Sequence, residues 1–172
     1  MPGDTLTILD LLYAMMLPSG NDAAYALAEF FGGHLRQAYQ YGKYNRLMQI
    51  HNSRARRRLQ RSYNCFIFYM NKQAKALQMT KTHFANPHGL INKLNKSTVQ
   101  DLAKLCQVVL DNPVCSRVVR TKTYRTIITN TRQDQKGGAR KPTSRAWSWK
   151  NTNKLLDKEG YTGLKTGWTF TA

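Results

Sequence analysis

The hydrophobic repeat changes once along this chain, and no other feature restricts its fold as much. Up to about Pro113 the apolar residues recur at helical spacing, and from Thr121 onward they gather in β-branched and aromatic runs. Helices first and strands late is the order of an α+β fold. Thr7 caps the first helix with Asp10 as a capping-box partner, and Pro18 stops it. Ile8, Leu9, Leu11, Leu12, Met15 and Met16 give that helix a broad apolar face. Ser19-Gly20-Asn21 then makes a tight polar corner before a second helix from about Asp22 to Phe31, which Gly32-Gly33 ends. Residues 34–62 are rich in Tyr, Gln and Arg with little periodicity and read as an insertion, partly helical at most.

Further on, Cys65 to Met79 reads as a helix with Phe66, Met70, Ala74 and Leu77 on one stripe. Asn86-Pro87-His88-Gly89 is a turn. Ser97 to Gln100 is a capping box for another helix, buried through Val99, Leu102, Ala103, Leu105, Cys106 and Val109 and ended by Asn112-Pro113. Thr121 to Thr129 reads as a strand and Gln133 to Ser144 as a polar connection. Trp147 to Leu156 holds an Asn-rich turn, and Tyr161 to Phe170 reads as a strand carrying Lys165-Thr166-Gly167.

A length of 172 residues suits one domain, and 41% hydrophobic with 21% charged residues excludes wholesale disorder. No run of 18 apolar residues occurs, so no transmembrane helix is expected, and Met1-Pro2-Gly3-Asp4 does not read as a signal peptide. Cys65, Cys106 and Cys115 lack metal-ligand spacing, and their odd number argues against a complete disulfide framework and for a reducing setting. Neither metal nor cofactor is called for.

Charge is the outlier. Lys and Arg number 27 against 9 Asp and Glu, a net of +18, and no acidic residue stands between Gly32 and Gln100. Arg36, Lys43, Arg46, Arg54, Arg56, Arg57, Arg58 and Arg61 crowd one stretch, with Tyr39, Tyr41, Tyr44 and Tyr63 among them. Such a block is either a solvated face or a docking surface for an acidic protein, a nucleic acid such as RNA, or an anionic membrane.

Two short motifs carry chemistry. Alone, Ser19-Gly20-Asn21 is a helix cap and Lys165-Thr166-Gly167 a solvent-facing edge strand. Together, a hydroxyl–amide pair at a helix corner and a late Lys-Thr-Gly are two of the three elements of the penicillin-recognising serine acyl-transferases. The chain resembles the serine-type D-Ala-D-Ala carboxypeptidases, the low-molecular-mass penicillin-binding proteins of peptidase family S11. The resemblance runs through Gly3-Asp4, Leu9 to Met16, Pro18 to Ala24, Leu27-Ala28-Glu29, Met70-Asn71 and Ala74, Met79 with Thr80, Thr82 and Phe84, Asn86 to Leu90, Ser97-Thr98, Asp101 to Ala103, Trp149 to Leu156 and Gly163 to Thr169. Gln37 to Asn64 departs from it, where the family has a shorter connection. The implied fold is α+β: an incomplete penicillin-binding-protein/β-lactamase-like transpeptidase fold, a helical lobe followed by part of an antiparallel sheet, in a single domain with a basic insertion at about 36–63.

The resemblance implies that Ser19 relays a proton near the leaving group and Asn21 hydrogen-bonds the substrate amide. Lys165 would sit beside Ser19 and keep the field positive, Thr166 would bind the terminal carboxylate, and Gly167 would leave room for substrate backbone. The family nucleophile is a Ser followed at the third position by Lys. None of Ser19, Ser53, Ser62, Ser97, Ser116, Ser144 and Ser148 has that spacing, so the motif is expected upstream and the chain reads as truncated at both ends. Two functions follow. One is a non-catalytic structural subunit of a larger assembly, inactive alone, its missing fold elements covered by other polypeptides. It would use Arg36, Arg46, Arg54, Arg56, Arg57, Arg58 and Arg61 for docking and belong to an organellar or cytoskeletal assembly. The other is a split part of an active, extracytoplasmic bacterial carboxypeptidase whose nucleophile lies on another segment.

Overall fold

The computed structural model describes residues 3–40, 54–131 and 141–167. Among the described residues, five α-helices, α1 (Ile8–Met16), α2 (Asn21–Gln40), α3 (Arg54–Ala76), α4 (Val99–Asp111) and α5 (Pro113–Arg120), accompany three strands, β1 (Asp4–Thr5), β2 (Thr123–Asn130) and β3 (Thr143–Lys150). The described residues divide into two compact units, 3–20 with 113–131 and 141–167, and 21–40 with 54–112.

The first unit is built on an antiparallel sheet of order β1-β2-β3, with Asp4 opposite Asn130 and Tyr124 opposite Trp149. Thr7 and Asp10 form the capping box that the sequence predicts. The buried face of α1 is not the apolar run, because Ile8 and Leu9 are exposed. It is Asp10, Tyr13 and Ala14, followed by Leu17, the i, i+3, i+4, i+7 set one step out of phase with the expected residues. Asp10 is tolerated inside because its carboxylate accepts from the Thr7 backbone at 2.8 Å, the Thr7 hydroxyl at 2.6 Å and the Tyr124 hydroxyl at 2.9 Å. Burial pushes its pKa up, but the hydrogen bonds from Thr7, Thr126 and Tyr124 outweigh that and hold it below the ordinary carboxylate value. Tyr13 stacks on Tyr124 at 3.7 Å between ring centres, and Tyr13, Leu17 and Val118 form the core with Met16, Tyr124 and Trp149 against it. Asp4 receives Arg145 in a two-pronged pair at 3.0 and 2.6 Å and Asn130 at 2.7 Å, and Arg145 holds its carboxyl well below the usual range.

Two expectations are refined in this unit and one fails. The Asn-rich turn expected within Trp147 to Leu156 begins at Asn151, and the residues from Trp147 to Lys150 before it belong to strand β3. Pro113 does not merely end α4 but opens α5, where its missing N–H costs nothing. Tyr161 to Gly167 is not a strand: Gly163, at φ +142°, breaks the extended run, and a Cβ there would meet Val119 Cγ2 at 2.8 Å. The rest of that expected strand, through Phe170, lies outside the described residues.

The second unit is organised by α2 against α3. Gly32-Gly33 does not end α2, which continues to Gln40. Ala24, Ala28 and Gly32, four residues apart, are all buried and make a small-residue stripe. A Cβ on Gly32 would lie 1.9 Å from the Ser62 carbonyl oxygen of α3, so the glycine serves a close helix approach. Helix α3 starts at Arg54, well before the expected Cys65, and buries Ser62, Cys65 and Ala74. Burial pushes the Cys65 thiol up against the opposing charge of Arg36, the setting of an unreactive thiol.

Beyond α3 the backbone is tied by side chains. Asn71 accepts from the Phe84 N–H and donates to its carbonyl, both at 2.8 Å. Asn86 accepts from Gly89 N–H at 2.8 Å across the expected turn, where Gly89 has φ +74°. The cap of α4 is Thr98 rather than Ser97, since Asp101 N–H donates to the Thr98 hydroxyl, while the Ser97 hydroxyl pairs with that of Thr82 at 2.9 Å. The expected buried face of α4 is also displaced. Val99 and Leu102 are exposed, and the buried residue is Asp101, whose carboxylate accepts from Lys81 N–H and the Thr82 hydroxyl. Many residues that carry the resemblance therefore serve the fold.

Candidate active site

One residue of each motif meets the other in the first unit, although 146 positions separate them: the Lys165 ammonium donates to Ser19 Oγ at 2.5 Å. Helix α1 delivers Ser19. Leu17 caps the helix with its N–H on the Tyr13 carbonyl, Gly20 N–H returns to the Ala14 carbonyl at 3.0 Å, and Ser19 between them takes φ +63°. A serine in the left-handed region is strained, which is common where a side chain must be aimed.

Lys165 also donates to the Thr166 carbonyl at 2.9 Å. The residue is exposed as a whole, but desolvation pulls its pKa below the ordinary lysine value. With the ammonium donating, Ser19 Oγ acts as acceptor and its own hydrogen remains available to a further group. A proton-bearing hydroxyl beside a lysine of lowered pKa is equipped to pass a proton, and the positive charge favours an anion close by.

Three residues join the motifs that the sequence reading matched to the family without giving them a role. Asn151 donates to the Val119 carbonyl at 3.3 Å and the Thr121 carbonyl at 3.0 Å, anchoring the turn after β3 to the end of α5. Thr152 donates to the Leu17 carbonyl through its N–H at 3.0 Å and its hydroxyl at 3.1 Å, and its oxygen lies 2.7 Å from the Thr166 hydroxyl. Asn153 caps the turn Lys154–Asp157 by accepting from Leu155 N–H. The Asn-rich run was the available signal.

The other predicted residues fall as follows. Thr166 and Gly167 follow Lys165, exposed. Asn21 is the first residue of α2, in the second unit. Arg36 lies in α2 and Arg61 in α3, both half-buried, and Arg54, Arg56, Arg57 and Arg58 occupy the first turns of α3. Arg46, with Lys43, Tyr41 and Tyr44, lies outside the described residues. Among the described residues no cluster of His, Cys, Asp or Glu could hold a metal ion, and no helix is long and apolar enough to cross a membrane.

The crystal structure of the Streptomyces K15 DD-transpeptidase superposes with a TM-score of 0.71 at 34% identity, covering 98% of this chain and 53% of that one. A penicillin-binding protein homologue from Mycobacterium tuberculosis, at 24% identity and TM-score 0.64, shares the fold. The fold is thus a partial α+β fold of the penicillin-binding DD-peptidases. The D-alanyl-D-alanine carboxypeptidase of Streptomyces strain K15 is 37% identical over 96% of this chain and 47% of its own length. For DacF of Bacillus subtilis the identity is 27%, over 98% and 33%. The model of peptidase S11, D-alanyl-D-alanine carboxypeptidase, matches residues 58–172, and the chain belongs to that family. It spans about half the length of the Streptomyces relative, and less of the Bacillus one.

Proposed function

We propose that these residues form the Ser-Gly-Asn and Lys-Thr-Gly half of a D-Ala-D-Ala carboxypeptidase site, working with a Ser-x-x-Lys nucleophile that these 172 residues do not contain. The observation that carries this reading is the Lys165–Ser19 hydrogen bond. Ser19 hands its proton toward the leaving amide nitrogen, and Lys165 re-supplies it and holds the field positive; for Asn21 the hydrogen bond to the substrate amide rests on its place in the Ser-Gly-Asn motif. Thr166 takes the terminal carboxylate, and Gly167 leaves space for the peptide backbone. The lowered pKa of Lys165 supports the proton role, since transfer is easiest when donor and acceptor are closely matched.

A second reading, a non-catalytic structural subunit covered by other polypeptides, is favoured by the serine spacing and by the charge of +18. In either case the arginines between Arg36 and Arg61 dock an acidic protein surface.

Labelled penicillin separates the readings. The chain alone is expected to remain unlabelled. Supplied with a polypeptide carrying a relative's Ser-x-x-Lys segment, it should support labelling on that segment, and Ser19→Ala should slow the labelling by about a hundredfold. A complex that assembles but never labels favours the structural subunit. Labelling of the isolated chain overturns the division of the site.

A further inference from the structure

We infer that Thr152 is a positioning residue whose hydroxyl switches partners to release the Thr166 hydrogen for an incoming carboxylate. This rests on the reading above that Thr166 faces the carboxyl end of a peptide.

The direction of the hydrogen bonds follows from chemistry. A backbone carbonyl only accepts, so the Thr152 hydroxyl on the Leu17 carbonyl, at 3.1 Å, gives its single hydrogen there. Its oxygen then meets Thr166, 2.7 Å away, as an acceptor, and Thr166 must be the donor of that pair. In this arrangement the Thr166 hydrogen is already committed. A carboxylate has only acceptor oxygens, so Thr166 cannot donate to it without giving up Thr152.

Thr152 makes that exchange inexpensive. The Leu17 carbonyl, on a residue with 0% exposure, also accepts the Thr152 N–H at 3.0 Å. When the Thr152 hydroxyl turns from Leu17 to Thr166, that carbonyl keeps its backbone bond and no buried group is left unpaired. Thr166 then accepts from Thr152 and donates to the ligand. No covalent bond changes; two hydroxyl hydrogens rotate. The same residue fixes the distance between the motifs, because Leu17 stands two positions before Ser19, and Thr166 directly follows Lys165.

The test is binding of an N-acetylated peptide ending in D-Ala-D-Ala to the full chain, followed by NMR titration, as the free acid and as its C-terminal amide. The parent should prefer the acid by about tenfold, the worth of one hydrogen bond to a charged group. Thr152→Val removes the acceptor that holds the Thr166 hydrogen, so no exchange is needed and the ratio should rise about threefold, the worth of one neutral hydrogen bond no longer exchanged, while Thr152→Ser should keep the parent ratio and Thr166→Val should lose it. Should Thr152→Val fail to fold, Thr152→Cys, a weak acceptor, replaces it and should also raise the ratio. A ratio that is unchanged or falls in the Val or Cys variant while Thr166→Val abolishes it overturns the role of Thr152 and leaves the carboxylate reading standing. Equal weakening for acid and amide also overturns it, because that is the mark of a purely structural contact. A parent that binds both ligands equally, or neither, overturns the carboxylate reading and this inference with it.

Discussion

Ser19 occupies a backbone region that serine avoids, and its side chain is the acceptor for Lys165. A left-handed φ costs a residue with a Cβ about 1–2 kcal/mol. Ser19→Gly and Ser19→Ala remove the same hydroxyl, so their difference isolates the backbone. The glycine variant should be the more stable by about 1 kcal/mol in thermal or urea denaturation. Both should lose the proton role. Equal stabilities would mean that the corner relaxes and stores no strain. The serine was legible as part of a motif; its φ was not, because a Ser-Gly-Asn corner can place the left-handed residue at the glycine.

At the scale of elements, the two neighbouring glycines of α2 make a sharp comparison. Gly32→Ala drives a methyl group into the backbone carbonyl of Ser62 and should cost about 1–3 kcal/mol as α2 and α3 separate. Gly33→Ala meets nothing nearer than Ser62 Oγ at 3.7 Å and should be neutral or stabilising by up to about 1 kcal/mol, the gain in helix propensity. Comparable melting of the two variants would contradict the close approach. A pair of glycines is read from sequence as a helix stop because a local window registers only their conformational freedom. What keeps the helix going is the opposite helix, which a local window does not contain.

For the whole molecule the unanswered feature is its charge of +18. The docking role gives a direct expectation for Arg54, Arg56, Arg57 and Arg58 changed together to Gln. Binding to immobilised poly-glutamate should weaken more than in a control with Lys141, Lys150, Lys154 and Lys158 changed to Gln, although both lose four charges. Added salt should weaken the parent. Equal losses in both variants would make the effect one of net charge, and tighter binding to single-stranded RNA than to poly-glutamate would move the partner to nucleic acid.

The sequence by itself determined what neighbouring residues decide among themselves. The capping box of Thr7 and Asp10, the turn from Asn86 to Gly89 and the β-branched strand of Thr123–Asn130 all rest on hydrogen bonds or steric preferences that act within a few residues. The order of the family's motifs was equally plain along the chain. Tertiary structure alone decided which residues separated by long stretches of chain would touch. It buried Asp10 where the apolar pattern pointed elsewhere, since Tyr124 supplies a hydrogen bond from 114 positions away. It made Trp147 part of a strand because β2 offers a partner edge. It also set Thr152 between Leu17 and Thr166, giving an ordinary threonine its place. Such contacts form because packing pays the entropy of bringing remote segments together, and that balance belongs to the folded chain as a whole.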